Sequence, residues 1–207
     1  MKQAFVTMLG MQDKMNQKVH SDWANQNFEW YRATWIECGE LIDHYGYKWW
    51  KKQTPDMDQV KLEAIDIWHF GMSALFGESR SCEQIADEMV SQLQGYKYQG
   101  QGVREATEAL ASDCLVSRSF SVVLFWDLLN SVEMSSDDLY RQYVGKNVLN
   151  FFRQDNGYKD GSYVKQWHGR EDNEHLVEVL SELDSQSVDF RDNVYSALQQ
   201  RYNSLSH

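Results

Sequence analysis

Proline is nearly absent from this chain: Pro55 stands alone among 207 residues, and the 12 glycines are scattered rather than regularly spaced. An all-β chain needs a turn about every 8–12 residues and runs of alternating β-branched side chains. Neither pattern is present, so the fold class is all-α. Cysteine is sparse too. Cys38, Cys82 and Cys114 are odd in number, far apart and in no C-x-x-C spacing, which excludes a disulfide framework and a thiolate zinc site. They are expected as reduced packing residues. No apolar run approaches the roughly 20 residues that span a bilayer. The nearest, SVVLFWDLL at 121–129, is interrupted by Asp127. The first residues, MKQAFVTMLGMQDK, hold a brief apolar run that ends at Gln12 and Asp13, too short for a secretory signal. The expectation is a cytoplasmic protein without a membrane partner. Positive charge is also in deficit, with 20 Lys and Arg against 31 Asp and Glu and a net charge of -11. That balance argues against binding a nucleic-acid polymer along its backbone.

What is present suits one core. Hydrophobic residues make up 42% of the chain and aromatic residues 14%, with a mean hydropathy of -0.63. At this length a single domain over residues 1–207 is expected. Phe5, Met8 and Met15 recur at helical spacing, which predicts a first amphipathic helix over 2–19. A second, capped at Ser21 or Asp22, carries Phe28, Tyr31, Trp35 and Ile42 and fades at Gly46. A third is capped by Thr54, with Pro55 at its first position, and runs to about Phe76. Ser81 opens a helix that stops in the glycine-bearing 94–102 segment. Residues 103–130 read as one long apolar helix, and Ser135 or Ser136 caps another that reaches about Phe152. Two more are expected over 172–184 and 187–205.

Between the helix that reaches about Phe152 and the one over 172–184, residues 153–170 show no helical period, with three glycines and three aromatics, so a long ordered loop is expected. Loops of more than about 12 residues are uncommon in compact domains and are often functional. Residues 146–170 hold five bases (Lys146, Arg153, Lys159, Lys165, Arg170) against two acids (Asp155, Asp160). A local charge of +3 in an acidic chain suits a small anion.

Two acidic pairs share one spacing: Glu37 with Glu40, and Glu63 with Asp66. Side chains three apart on a helix lie within about 60° of each other and share a face. The connection near Gln53 lies 13 positions after Glu40 and 10 before Glu63, so an antiparallel hairpin would bring both pairs to similar height. Converging carboxylates raise a pKa or recruit a cation, and a hard divalent ion with oxygen ligands, Mg²⁺ above all, supplies the compensation. An isolated E-x-x-E is usually a solvated face; two across a short hairpin, with a basic loop elsewhere, point to metal plus phosphate.

The segments ECGELIDHYGYKWWKK, VKLEAIDIWHFGMSALF and NVLNFFRQDNGYKDGSYVKQWHGREDNEHL, with LGMQDKMN near the start, resemble the dimeric all-α dUTPases, relatives of the MazG-type nucleotide pyrophosphatases. The resemblance implies a helical bundle around a metal site, a homodimer, and hydrolysis of dUTP, and of dUDP, to dUMP. It implies that Glu37, Glu40, Glu63 and Asp66 hold Mg²⁺, more than one ion being expected. Water would attack the phosphate chain with Glu40 as its base, and Glu37 belongs with it in the catalytic set. Gln12 and Asn16, on one face at i and i+4, match the positions that read the uracil edge. Trp49 or, preferentially, Trp50 would wall the base pocket, and His69 and Phe70 would pack on the deoxyribose. Asn150, Arg153, Tyr158, Lys159, Lys165, Arg170 and Asn173 match positions that contact the phosphates or sugar.

Three other readings stay open on the residues. A MazG-like pyrophosphatase for another nucleotide would share the four acids. A carboxylate-bridged di-iron bundle is suggested by the D-x-x-H of Asp66 and His69, although such bundles need a Glu-x-x-His on each of two helices. A non-catalytic nucleotide-binding module is the third.

Overall fold

The computed structural model of the chain describes residues 1–77, 80–185, 187 and 189–204. Those residues form nine α-helices and a two-stranded ribbon, an all-α fold as the near-absence of proline and alternation requires. The helices are α1 (Lys2–Val19), α2 (Trp30–Tyr45), α3 (Met57–Leu75), α4 (Cys82–Gln92), α5 (Val103–Ser117), α6 (Val122–Ser131), α7 (Ser136–Asp155), α8 (Asp172–Glu182) and α9 (Phe190–Asn203). The ribbon pairs β1 (Gln166–Trp167) antiparallel with β2 (Arg170–Glu171). No helix of the described residues is long and apolar enough to cross a membrane. The contacts divide the chain into two compact units, Met1–Leu139 and Tyr140–His207.

In the first unit α2 packs along α3 and α5, α5 on α6, and α1 on α4. Its centre is aromatic. Trp68, fully buried on α3, stacks on Phe125 at 4.7 Å, and Phe5, Phe120 and Trp126 surround the pair. Gly71, one turn beyond Trp68 on α3, is where this centre is tightest: a Cβ there would lie 2.4 Å from the Phe120 ring. Gly71→Ala is therefore expected to lower stability. Overpacking costs about 1–3 kcal/mol, of which the better helix propensity of alanine returns only about 1 kcal/mol. A drop in the urea midpoint without a change in slope is the measurement.

The second unit gathers around Phe152. Tyr163, Trp167, Tyr195 and Tyr202 each set a ring within 5.4–6.3 Å of it. Tyr163 stacks on Tyr202 of α9 at 5.4 Å, and the Tyr202 hydroxyl accepts the Val164 N–H.

Several sequence boundaries need correction. The single helix expected over 103–130 is two, because Arg118 ends α5 in the left-handed region at φ +53 and Ser121 caps α6 by accepting the Leu124 N–H. The second helix starts at Trp30 rather than near Ser21 or Asp22. A short 3₁₀ turn at Trp23–Asn25 and Asn27 at φ +52 intervene. Asp56, not Thr54, caps α3, its carboxylate accepting the Gln59 N–H. The helix before the long loop runs on to Asp155, and the loop carries the β1–β2 ribbon, so it has secondary structure of its own. The last two helices are shorter than expected, ending at Glu182 and starting at Phe190; the expected end at Leu205 lies outside the described residues.

Candidate active site

The α2–α3 connection is pinned from several sides. Gly46 closes α2 at φ +94, a backbone region that a side chain disfavours. Arg104 of α5 donates from Nε to the Gly46 carbonyl at 2.9 Å, and its guanidinium lies over the Tyr45 ring. The Asp56 N–H donates to the His44 carbonyl. With the turn fixed, the register of α2 against α3 is fixed too.

That register brings Glu37, Glu63 and Asp66 together, each offering a carboxylate oxygen within 4.8 Å of the others. Glu63 is 9% exposed, and Glu37 and Asp66 are half-buried. Glu40 is exposed and outside this grouping, beside an open groove lined by Trp35, Ile36, Gly39, Asp43 and His44. Burial, with the charges of Asp66, Glu40 and Glu63 added to it, pushes the Glu37 carboxyl up to about 8. Glu37 is therefore mostly neutral at pH 7, and its side chain is hydrogen-bonded to Glu63. His44 Nε2 lies 3.5 Å from Glu63 Oε1.

Such a group retains a proton where a cation could sit. Oxygen ligands of Mg²⁺ stand about 2.0–2.1 Å from the ion, hence up to about 4 Å apart. A set of hard oxygens within 4.8 Å therefore fits a divalent ion after a small contraction. The D-x-x-H suggested for a di-iron bundle does not form a ligand pair, since His69 Nδ1 is 2.8 Å from Gln12 Oε1 and lies outside the carboxylate group.

Gln12 and Asn16 do share a face of α1, and that face is buried, leaving them 4% and 7% exposed. They join His69 and Ser73 of α3 in one polar cluster. Gln12 Nε2 donates to Asn16 Oδ1 and Ser73 Oγ, and Asn16 Nδ2 donates to Ser73 Oγ. Phe70, half-buried, stacks on Trp30 at 6.3 Å. Trp49 and Trp50 are not brought into this cluster. They are 90% and 60% exposed, in edge contact with each other, and Trp50 also touches Tyr47. Nearby, Trp23, Phe28, Trp30, Tyr31, Phe76 and Arg118 line a cavity of about 160 Å³. Sequence reasoning passes over Ser73. Its signal was the i+4 spacing from His69 on a helix whose apolar faces were already assigned.

The candidate phosphate residues belong to the second unit, where most have partners inside that unit. Arg153 meets Asp172 with two 2.8 Å bonds, from Nε and Nη2, and donates to Asn150 Oδ1 at 3.3 Å. Tyr163 donates a third 2.8 Å bond to Asp172, which is fully buried. Burial alone would raise the Asp172 carboxyl, but the Arg153 and Tyr163 bonds outweigh it and hold it below the usual carboxylate range. Arg170 pairs with Glu178, and Lys165 stands 3.2 Å from Glu171. Tyr158 is exposed and lies under the Arg153 guanidinium; Lys159 is exposed and Asn173 half-buried. Sequence reasoning also passes over Asp172 as a partner, because a pair 19 residues apart has no local signature.

The chain is thus an all-α protein with a cluster of three carboxylates between two packed helices, a set of oxygens that could hold a cation. The sequence profile of the dUTPase family matches residues 4–158, about three quarters of the 207, and the chain belongs to that family, the all-α dUTPases. Its reaction is that of a dUTP diphosphatase. The matched residues include the four acids, Gln12, Asn16, Trp49, Trp50, His69, Phe70, Asn150, Arg153 and Tyr158; Lys159, Lys165, Arg170 and Asn173 lie beyond them. No curated protein matches the sequence closely enough to be compared with it.

Proposed function

We propose that the chain hydrolyses dUTP to dUMP and pyrophosphate, and dUDP to dUMP and phosphate, in a Mg²⁺-dependent reaction at Glu37, Glu40, Glu63 and Asp66. The observation that carries this reading is the convergence of three carboxylates within 4.8 Å, with the Glu37 carboxyl pushed up to about 8. When bound, the ions supply charge neutralisation at the phosphate oxygens and acidify bound water. Glu37, Glu63 and Asp66, with Glu40 beside them, would hold the ions, and Glu37 would give up its proton on loading. Glu40, an exposed carboxylate one turn from Glu37, takes the proton of the attacking water. Gln12 and Asn16 meet the uracil edge, with His69 and Phe70 against the sugar and Trp49 or Trp50 over the base. Asn150, Arg153, Tyr158, Lys159, Lys165, Arg170 and Asn173 hold the phosphates and sugar, the cationic ones through charge-assisted hydrogen bonds. The basic 153–170 stretch in a chain of net charge -11 supports the anion-binding part. The chain works in this reading as one dUTPase-like domain over 1–207, paired as a cytoplasmic homodimer.

A nucleotide panel tests it. With Mg²⁺, dUTP and dUDP should yield dUMP, and kcat/KM for dUTP should exceed that for dCTP and dTTP by at least about 100-fold, the discrimination of a site built on hydrogen bonds. EDTA should abolish turnover. Equal rates on dCTP and dTTP would move the assignment to a broader nucleotide pyrophosphatase.

A further inference from the structure

Ser73 is fully buried on α3, and its hydroxyl is saturated. It donates to the His69 carbonyl at 3.0 Å and accepts twice, from Gln12 Nε2 at 3.1 Å and Asn16 Nδ2 at 2.9 Å. A hydroxyl has one proton and two lone pairs, so each is committed. With its proton spent on the carbonyl, Ser73 can meet only donors. The Asn16 carboxamide must therefore turn its nitrogen toward Ser73, and Gln12 must do the same. Two further bonds close the ring: Gln12 Nε2 donates to Asn16 Oδ1 at 3.0 Å, and His69 Nδ1 faces Gln12 Oε1 at 2.8 Å. Flipping the Asn16 amide would set its oxygen against the Ser73 oxygen and its nitrogen against Gln12 Nε2. Both contacts would be repulsive.

Beyond these bonds the Asn16 group retains one N–H and one carbonyl lone pair. An imide edge presents an N–H donor flanked by carbonyl acceptors and is met by that pair. A cytosine edge presents a bare ring nitrogen beside an amino group and would require the flipped amide. We propose that Ser73 is a positioning residue for base selection: by fixing the orientation of the Asn16 carboxamide, it makes the site accept uracil and reject cytosine. The inference rests on the reading that Asn16 faces the base, and it adds the device that stops that carboxamide from serving either pyrimidine.

Ser73→Ala removes the hydroxyl and frees the Asn16 amide to turn. The ratio of kcat/KM for dUTP over dCTP is expected to fall by about tenfold or more, partly through a rise on dCTP, the scale set by one unpaired buried polar group. A merely structural role would lower both substrates together and leave the ratio intact. Asn16→Ala is run beside it. If Asn16→Ala collapses the ratio and Ser73→Ala does not, the role of Ser73 is overturned while the base-reading assignment stands. If neither moves the ratio, the base-reading assignment fails, and this inference with it. Should Ser73→Ala not fold, Ser73→Cys keeps the shape of the side chain, slightly enlarged, with a much weaker donor and acceptor and should lower the same ratio.

Discussion

Asp66→Asn is expected to make the metal-free protein more stable and the enzyme nearly inactive. Asp66 is the strongest neighbouring charge that raises Glu37, second only to burial. Neutralising it relieves that repulsion within a group of carboxylate oxygens 4.8 Å across, and the same change removes a ligand from the proposed Mg²⁺ site. Loss of groups that merely support a metal ligand costs about 10–100-fold, so loss of a ligand should lower kcat/KM by at least about 100-fold. Without metal, melting temperature should rise; on adding Mg²⁺ the wild type should gain and Asp66→Asn should not. Glu40→Gln makes the contrast. Because Glu40 lies outside the tight grouping, this variant should retain more of the Mg²⁺-induced gain than Asp66→Asn and lose rate by about 10²–10⁴-fold, the range for a general base. If Asp66→Asn keeps full activity, the carboxylates are not the metal site.

The pH dependence of the same stability has a definite sign. Glu37 has a folded value of about 8 against an ordinary 4.5, so its neutral form is favoured by folding. Below the ordinary value both states hold the proton and nothing is lost. As pH rises from 4.5 to about 8 the unfolded chain ionises first, and metal-free stability falls across that window. The fall should be smaller in Asp66→Asn. Loading Mg²⁺ should release a proton over the same window and grow tighter toward its upper end.

Arg153→Met should unfold the second unit at far lower urea. It leaves a fully buried carboxylate without the partner that makes two 2.8 Å bonds to it. Breaking one side of a buried pair costs about 3–5 kcal/mol. In the wild type Asp172 lies below its ordinary value of 3.8, so the pair's contribution is present above that value and is lost as pH falls through the lower folded one. In Arg153→Met burial acts with less opposition, and stability should instead decline as pH rises past the ordinary carboxylate range. Adding Asp172→Asn should recover much of the loss, since removing both charges leaves no orphan. The double variant also separates two roles of Arg153. If it is stable yet weak in KM for dUTP, Arg153 contacts phosphate; if KM is unchanged, its role is the ion pair alone.

Local rules made much of the helical frame legible. Lys2–Val19 follows from apolar spacing, and Ser81 announces α4 through a capping box with Gln84. The break at Arg118 was hidden because Leu115, Val116, Phe120 and Val122 carry the apolar pattern across it; the serines at 117, 119 and 121 were the available sign. Glu37, Glu63 and Asp66 could be placed together because helix period and loop length suffice for that. What the period cannot encode is which buried polar atoms satisfy one another. Ser73 lies 61 residues from Gln12 and Asp172 lies 19 from Arg153, and those pairings arise only once the chain is packed. The exposure of Trp49 and Trp50 was invisible for a related reason: a KWW triplet gives hydrophobicity without saying which neighbour covers it.

The stack of Tyr163 on Tyr202 joins a candidate phosphate loop to a helix that lies wholly beyond the residues matched by the family profile. The loop is thus splinted by a helix outside residues 4–158. Tyr202→Ala would bare one face of the Tyr163 ring and leave the Val164 N–H without its hydroxyl acceptor, so the stiffness of the loop is set by α9 as well as by the loop's own residues.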